Sequence, residues 1–335
     1  MGSLAEGAKN AVETCMSIKS DEHVLVVTDE AQYKIGYSIM KAAKKVTPYV
    51  EMHVLTGQKR PVYEVPEEIA QAIERSDASY WVTTGNLPYE LEDNFVNQVM
   101  KNPKRRHAHM SGVTEQVMRE GMCVNYNDVE KFTDKVYDIV SMTKEIKIEG
   151  NPNNNERTNL RLEMNPNWKW IKSSGIIKKG EWDNLPSGET ETTPYKVNGT
   201  VVTNLLGDYF DGKWGILNPP ISFDIVESMF KPDTLKCSNP KLKRELTSYL
   251  KKYKNGDRLA EISLPTNIQL IPKSIIGNML IDEKRRPHIG FGDPPDDRIR
   301  ADWSSGSHID FILENCNVSV DGKKIMEKGR YLFDD

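Results

Sequence analysis

The apolar residues of this chain follow two different patterns, and the change between them near residue 150 constrains the fold more than any other feature. From residue 23 to about residue 141, short apolar runs alternate with amphipathic stretches. The runs are rich in β-branched and aromatic residues, as strands are, and they read HVLVVTD (23–29), VEMHVLTG (50–57), YWVTTG (80–85) and RRHAHMS (105–111). Because strand and helix alternate, we predict a parallel sheet covered by helices.

The stretches between these runs have helical periodicity. They are EAQYKIGYSIMKAAKKV, PEEIAQAIERSD and YELEDNFVNQVMK. A further helix is predicted to begin at Asn127, because Glu130 follows three residues later as in a capping box. This helix has one apolar face, formed by Phe132, Val136, Ile139 and Val140.

Beyond the polar, turn-rich segment EGNPNNNERTN (149–159), the pattern changes to short strands with many turns. One long helix is predicted there, in NPKLKRELTSYLKKYKNG (239–256), and Asp321-Gly322 predicts a type I′ hairpin turn. A length of 335 residues suits two domains. We therefore predict an α/β domain with a mostly parallel sheet over residues 1–147, and a β-rich α+β domain that binds metal over residues 148–335.

Composition and charge exclude several classes of protein. No run approaches the roughly 18–20 apolar residues that cross a bilayer, and the N-terminus lacks a basic start before an apolar run, so we expect a cytoplasmic protein without a membrane partner. A net charge of −4 and short basic runs argue against nucleic acid as a partner. Four cysteines without a Cys-x-x-Cys pair suggest neither disulfides nor a thiolate zinc site.

Potential metal ligands concentrate in the second half. The chain has only 6 histidines, and two of them are His288 in RRPHIGFGD and His308 in SSGSHIDF. His308 and Asp310 alternate along a predicted strand, which points both side chains to one face. The glycines at 290 and 292 allow another group to approach the backbone closely. Imidazole and carboxylate together predict a site for a divalent cation.

Two glutamates upstream extend this set. Glu189 follows a Pro-Ser-Gly turn in NLPSGET, and Glu261 lies among apolar residues in RLAEISLPTN. A carboxylate in apolar surroundings needs a partner, and a cation is a suitable one. The rival pair His107-x-His109 has no carboxylate close in sequence, so we assign it a structural role. No phosphate-binding glycine loop and no Gly-x-Ser-x-Gly motif occurs in the sequence.

These motifs resemble those of the M29 aminopeptidases, the aminopeptidase T group, and especially their shorter bacterial relatives. The matching segments are NLPSGE ending at Glu189, AEISLPTN beginning at Ala260, NMLIDEKRRPHIGFGD and SHIDF, together with SGVTEQVMREGMCVNY (111–126). The resemblance covers nearly the whole chain.

The resemblance implies a hydrolase that cleaves a peptide or amide bond in a small-molecule or short peptide substrate. Two divalent ions (Zn, Co or Mn) would share an activated water. The family also suggests a homodimer. The implied ligands are Glu189, Glu261, His288, His308 and Asp310, with Glu283 as a further contributor. Of these, Glu189 or Glu261 is expected to bridge the ions, and the carboxylate not fully engaged by metal to transfer the proton.

The sequence departs from the longer peptidases at two places. Pro295 stands where they carry a tyrosine, seven residues after the His288 counterpart, which removes a hydroxyl able to stabilise an oxyanion. After Glu261 the sequence reads Ile262-Ser263-Leu264-Pro265-Thr266-Asn267 in place of Gly-x-Gly-Thr-Asn, which alters the pocket wall. Phe291 and Trp303 are candidate walls of the substrate pocket.

Two other functions stay open at this stage. The 2,5-dihydroxypyridine dioxygenases share the scaffold and hold one Fe(II) through two histidines and an aspartate. Here His308 and Asp310 would supply two ligands, and His288 would replace a histidine near the position of Glu261. Because Glu189 and Glu261 are retained, we rank this mononuclear ring-cleaving dioxygenase below the hydrolase. The third hypothesis is a non-catalytic binding protein on the same scaffold.

Overall fold

A computed structural model of the protein describes residues 2–56, 64–85, 92–153, 156–271 and 273–333. The chain forms two compact units. The first consists of Met1–Glu130 and Ser173–Gly188, and the second of Lys131–Lys172 and Glu189–Asp335. The sequence-based prediction drew a single boundary between residues 147 and 148. The units differ from it because the segment Ser173–Gly188 carries a strand that pairs within the first unit.

The helices in the described ranges are mostly short, and none of them is both long and apolar enough to cross a lipid bilayer. A π-helical turn over Asn10–Cys15 continues the first helix, and a 3₁₀ turn covers Asp297–Ile299. In chain order the α-helices are α1 (Leu4–Lys9), α2 (Tyr33–Ala43), α3 (Glu67–Arg75), α4 (Glu92–Met100), α5 (Glu115–Glu120), α6 (Tyr126–Val140), α7 (Phe210–Trp214), α8 (Pro240–Leu250) and α9 (Met279–Asp282).

The strands of the described residues form three sheets. In chain order they are β1 (Val24–Asp29), β2 (Val50–Leu55), β3 (Ala78–Val82), β4 (Arg106–His109), β5 (Glu145–Asn153), β6 (Glu156–Glu163), β7 (Ile171–Ser173), β8 (Trp182–Asn184), β9 (Glu189–Thr192), β10 (Lys196–Thr203), β11 (Ile221–Val226), β12 (Met229–Lys236), β13 (Leu259–Pro265), β14 (His288–Gly292), β15 (His308–Ile312), β16 (Cys316–Val320), β17 (Lys323–Glu327) and β18 (Arg330–Tyr331).

The first unit contains the predicted parallel sheet, in the order β2-β1-β3-β4-β8. Every residue of β1 and β3 is buried, as expected for central strands of a parallel sheet, and α2, α3 and α4 pack against it. Parts of three predicted segments lie outside the described residues: the end of VEMHVLTG at Gly57, the start of YELEDNFVNQVMK, and the centre of EGNPNNNERTN.

The start predicted for α6 was wrong, although its apolar face was right. The helix begins at Tyr126, and the side chain of Asn125 accepts a hydrogen bond of 3.2 Å from the Asn127 N–H. Asn125 therefore caps the helix in place of Asn127. Three residues of the predicted face, Phe132, Val136 and Val140, are buried in the core of the second unit.

The second unit contains two sheets of antiparallel strand pairs. One has the order β12-β11-β10-β6-β5-β16-β17-β18, and the other has the order β15-β14-β13-β9-β7. The predicted hairpin joins β16 to β17, and Asp321 and Gly322 have φ angles of 47° and 83°, as a type I′ turn requires. An α/β part with a parallel sheet and a β-rich part are thus both confirmed.

Four phenylalanines form the centre of the second unit's core. Phe223 and Phe230 come from the larger sheet, and Phe291 and Phe311 from the smaller one. The rings meet edge to face, with the centroids of Phe223 and Phe311 5.4 Å apart and those of Phe291 and Phe311 5.3 Å apart. These contacts hold one face of β14 and β15 against the larger sheet. The side chains of His288, His308 and Asp310 lie on the opposite face of the two strands.

We expect Phe223→Ala to lower the free energy of unfolding by about 3–5 kcal/mol, because it leaves a cavity among three aromatic rings. Urea unfolding followed by circular dichroism measures this loss. Val226→Ala is the matched control, since Val226 lies on the same strand but is 44% exposed, and it should change stability by less than about 0.5 kcal/mol. A loss for Phe223→Ala as small as that of the control would contradict this account of the core.

Candidate metal centre

Three neighbouring strands bring the predicted ligands together on one face of the smaller sheet. Glu261 on β13 lies opposite Gly290 on β14, and Gly290 lies opposite Asp310 on β15. Paired residues of adjacent strands point to the same face. The middle residue of this row has no side chain, so side chains of the neighbouring strands can extend over it.

Gly290 is needed there for steric reasons. A Cβ atom at this position would lie 2.8 Å from the imidazole Nε2 of His308 and 2.9 Å from Oδ1 of Asp310. At Gly292, where φ is +111°, a Cβ would lie 1.9 Å from the carbonyl oxygen of Ser307. The two glycines of the HIGFG strand thus allow the next strand and its ligands to approach closely, as the sequence indicated.

Four side chains form what we call the donor set: Glu261, His288, His308 and Asp310. Oε1 of Glu261 lies 3.3 Å from Nε2 of His288, and Oε2 lies 3.0 Å from Nε2 of His308. Nε2 of His308 also lies 3.0 Å from Oδ1 of Asp310. Ligand atoms of Glu261, His288 and Asp310 all lie within 4.8 Å of one another. The atoms that would ligate an ion therefore already converge.

The backbone fixes the orientation of one imidazole. Nδ1 of His308 lies 2.7 Å from the carbonyl oxygen of Asp293. Because a carbonyl can only accept, Nδ1 carries the hydrogen and Nε2 faces the donor set. This is the usual arrangement of a metal-ligating histidine, whose second nitrogen donates to a fixed acceptor.

The carboxylates determine the charge state of the imidazoles in the metal-free protein. Burial alone lowers the pKa of His288, but Glu261, Glu189 and Asp310 outweigh it and raise the pKa to about 10. Burial also opposes charge on His308, whose pKa is nevertheless raised by Asp310 and Glu261. Burial raises the pKa of Glu261, and the two imidazoles outweigh this effect and lower it. The site thus compensates buried negative charge with positive charge, which a bound cation also does.

The chemistry of the donor set fits a divalent ion. Two imidazole nitrogens and two carboxylate oxygens suit Zn, Co, Mn or Fe(II). Glu261 and His288 are almost fully buried, so few water molecules compete with them for the ion. The structure therefore supports a metal site in the second unit, formed by residues that the sequence singled out.

Glu189 lies beside the donor set and has a different set of partners. It opens β9, which pairs with β13. Its Oε2 accepts a hydrogen bond of 2.9 Å from the hydroxyl of Ser263 and lies 3.6 Å from Nε2 of His288. Its Oε1 accepts a hydrogen bond from the ammonium of Lys284.

Sequence reasoning missed Lys284. It follows α9 in the run Asp282-Glu283-Lys284-Arg285, and charged runs are usually exposed, yet all four residues are buried. Nζ of Lys284 lies 2.8 Å from Oε1 of Glu283 as well as against Glu189. Burial lowers the pKa of Lys284, but these two carboxylates outweigh it and raise the pKa. Burial, with Glu189 and Asp310, raises the pKa of Glu283 to about 7 against the opposing charges of Lys284 and His288.

The two candidate pocket walls lie in different surroundings. Phe291 is on the face of β14 opposite His288 and packs in the aromatic core, so the structure gives it a core position in place of the pocket position suggested from sequence. Trp303 donates a hydrogen bond of 3.2 Å from Nε1 to the carbonyl oxygen of Gly292. Its ring stacks on the guanidinium of Arg258, 3.4 Å from the ring centroid.

The rival histidine pair lies in the first unit. Nδ1 of His107 is 2.8 Å from the hydroxyl of Ser79, and Nε2 is 3.4 Å from Nδ1 of His109. Burial, and then the neighbouring His109, lower the pKa of His107, which favours the neutral ring. A neutral, hydrogen-bonded imidazole in a buried strand agrees with the structural role expected for it.

Two solved structures are similar to this chain over almost its entire length. One is 2,5-dihydroxypyridine dioxygenase from Pseudomonas putida KT2440, with a TM-score of 0.72 and 13% identity, covering 99% of this chain and 97% of the other. The second is wild-type AmpT from Thermus thermophilus, with a TM-score of 0.71 and 15% identity, covering 98% and 99%. The fold is shared with both. No protein-family model and no curated protein matches the sequence. The comparisons thus confirm the scaffold that the motifs suggested.

We expect Gly290→Ala to abolish metal binding without unfolding the protein. The added methyl group must displace His308 and Asp310, and loss of two ligands should weaken affinity by more than about 100-fold. Isothermal titration calorimetry with Zn²⁺ measures the change. Gly212→Ala is the control, because a Cβ at this exposed glycine of α7 meets no atom within 4 Å. Unchanged affinity in Gly290→Ala would show that the ion binds elsewhere.

Metal binding should release protons and weaken as the pH falls. Both imidazoles of the donor set carry a proton in the metal-free protein at pH 7, since their pKa values are raised, and an ion needs the neutral nitrogen. Each ion should therefore release about two protons at pH 7, and its affinity should increase with pH up to about pH 10.

Calorimetry in buffers of different ionisation enthalpy counts these protons. A His53→Gln variant, altered at a histidine of the first unit beside Glu51, should release the same number. Binding without proton release at pH 7 would mean that the imidazoles do not ligate the ion.

Proposed function

We propose that this protein is a metal-dependent hydrolase that cleaves an amide or peptide bond in a small substrate. The observation that carries the proposal is the position of Glu261. This buried carboxylate contacts both imidazoles of the donor set, at 3.3 and 3.0 Å, and so adds a second carboxylate to two histidines and Asp310. Such a mixed, carboxylate-rich set is typical of hydrolytic zinc, cobalt and manganese centres.

Glu261 also favours hydrolysis over oxygen chemistry. An oxygenase that uses two histidines and one carboxylate keeps several coordination positions open, because the substrate and O₂ must both reach the iron. With four protein donors, fewer positions remain. A hydrolase needs only a water molecule and one substrate oxygen at the ion, and a six-coordinate ion such as Mn²⁺ has two positions left after four protein donors.

The residues of the chain have distinct roles in this proposal. Glu261, His288, His308 and Asp310 hold the ion, which when bound polarises the scissile carbonyl and lowers the pKa of water. Glu189, whose Oε2 lies 3.6 Å from Nε2 of His288, is placed to accept the proton of the attacking water and to deliver it to the leaving amine. Ser263 and Lys284 fix the orientation of its carboxylate. Pro295 provides no hydroxyl for the oxyanion, and a bound ion would supply that stabilisation.

One alternative rests on a specific observation. His288, His308 and Asp310 form by themselves the set of two histidines and one carboxylate that a mononuclear Fe(II) dioxygenase uses. The likeness to 2,5-dihydroxypyridine dioxygenase, at a TM-score of 0.72, supports the alternative at the level of the scaffold. In that case Glu261 would be dispensable for chemistry, and a hydroxylated heteroaromatic ring would be the substrate.

We expect Glu261→Gln to reduce hydrolysis of a panel of aminoacyl amides and dipeptides by more than about 100-fold, because an amide oxygen replaces a charged ligand. Zinc content measured by elemental mass spectrometry should fall in parallel, while the circular dichroism spectrum stays unchanged. Glu327→Gln, at an exposed glutamate of β17, is the control and should have neither effect.

The choice of metal and of substrate separates the two functions. Protein loaded with Zn²⁺, Co²⁺ or Mn²⁺ should hydrolyse amides, and protein loaded anaerobically with Fe(II) should consume no oxygen with dihydroxypyridines. Oxygen uptake with such a ring in both the wild type and Glu261→Gln, without amide hydrolysis, would replace the hydrolase by the dioxygenase.

A further inference from the structure

Lys284 is a cation that the chain itself provides beside the donor set. Its side chain is completely buried and faces the carboxylates of Glu189 and Glu283. Lys284 lies two residues after the end of α9 and four residues before the ligand His288, and its backbone N–H donates a hydrogen bond of 3.2 Å to the carbonyl oxygen of Ile281. The contacts of Nζ with Glu189 and Glu283 place the ammonium beside the site.

The buried ammonium is compensated by carboxylates in direct contact with it. Transfer of an isolated charge from water into a protein interior costs several kcal/mol per ion, and only close partners of opposite charge offset this cost. Lys284 has two such partners, and both are themselves buried. Without Lys284, the buried carboxylates of Glu189 and Glu283 would face each other with no cation of the chain between them.

Glu189 joins this cluster to the donor set. One oxygen accepts from Lys284, and the other lies 3.6 Å from Nε2 of His288. A carboxylate that bridges two metal ions also uses both of its oxygens, one on each ion, and the ions lie about 3.5–4 Å apart. Here the cation on the outer oxygen of Glu189 is an ammonium.

A second divalent ion has few ligands left in the part of the chain that the structure describes. Lys284 engages Oε1 of both Glu189 and Glu283, and Ser263 donates to the remaining oxygen of Glu189. A dication at this place would also lie against the ammonium in a buried environment, where like charges repel strongly. The donor set, by contrast, has four donors for one ion.

We infer that Lys284 takes the place of a second metal ion, so that each chain binds one divalent cation. The inference rests on the proposed metal-dependent function. It differs from the two-ion centre that the sequence resemblance implied. Lys284 thereby acts as a positioning residue that sets the charge and orientation of Glu189, without contacting the substrate.

The number of bound ions tests the inference directly. We would load the full-length wild type, Lys284→Met and Lys284→Arg with Mn²⁺, remove unbound metal, and determine manganese per chain by elemental mass spectrometry. The wild type and Lys284→Arg should hold about one ion, and Lys284→Met should hold about two, because it frees two buried carboxylates. Lys172→Met is the control: it removes an exposed lysine paired with Asp134 and should leave about one ion.

Electron paramagnetic resonance of the same samples provides a second readout. The wild type should give the spectrum of isolated Mn²⁺, and Lys284→Met should give that of a spin-coupled pair. Two ions in the wild type, or a single ion in a folded Lys284→Met variant, would overturn the inference. If Lys284→Met does not fold, the wild-type count and spectrum still decide.

The outcomes separate this inference from the proposed function. Amide hydrolysis by a wild-type protein with two ions overturns the inference and keeps the hydrolase. A single ion together with oxygen-dependent ring cleavage keeps the inference and overturns the hydrolase. A wild-type protein that binds no ion overturns both.

Discussion

The candidate site depends on the hydrogen-bonded register of three antiparallel strands. This register sets Glu261, Gly290 and Asp310 in one row. A shift of one residue in the pairing of any of these strands would turn the ligands of that strand to the opposite face of the sheet. That face is occupied by Phe291 and Phe311, so a shift would also remove aromatic rings from the core. The packing that stabilises the second unit and the geometry of the donor set thus select the same register, because alternate residues of the same strands serve both.

Much of this arrangement follows from local sequence. Alternation in His308-Ile309-Asp310 indicated two ligands on one face, and the glycines at 290 and 292 indicated close approach. These inferences hold because strand geometry has a period of two whatever the surrounding fold. The capping residue of α6 was misplaced by two positions, since Asn125 and Asn127 are equally good caps by composition. Residues 173–188, predicted as part of the second domain, fall in the first compact unit for another reason: pairing between β4 and β8 joins residues about 75 positions apart, which no local pattern encodes.

Lys284 marks the limit of such reasoning. A charged run normally indicates a solvated surface, and the run from Asp282 to Arg285 contradicts that rule because each charge finds a buried partner. One of these partners, Glu189, is 95 residues away, and no local pattern indicates it. The scaffold persists at 13–15% identity to two solved structures, which shows how little of its sequence the fold requires. Function therefore has to be argued from the donor set and its neighbours.

The buried ammonium has a consequence for how the protein depends on its surroundings. Metal ions are lost to chelators, and their supply in a cell varies, whereas a lysine side chain is made with the chain and cannot dissociate. The ammonium of Lys284 is therefore a permanent positive charge beside the carboxylates of Glu189 and Glu283. Scarcity of metal would empty the donor set but leave Glu189 and Glu283 paired with Lys284. The carboxylates beside the donor set would thus keep their positions in a metal-free protein.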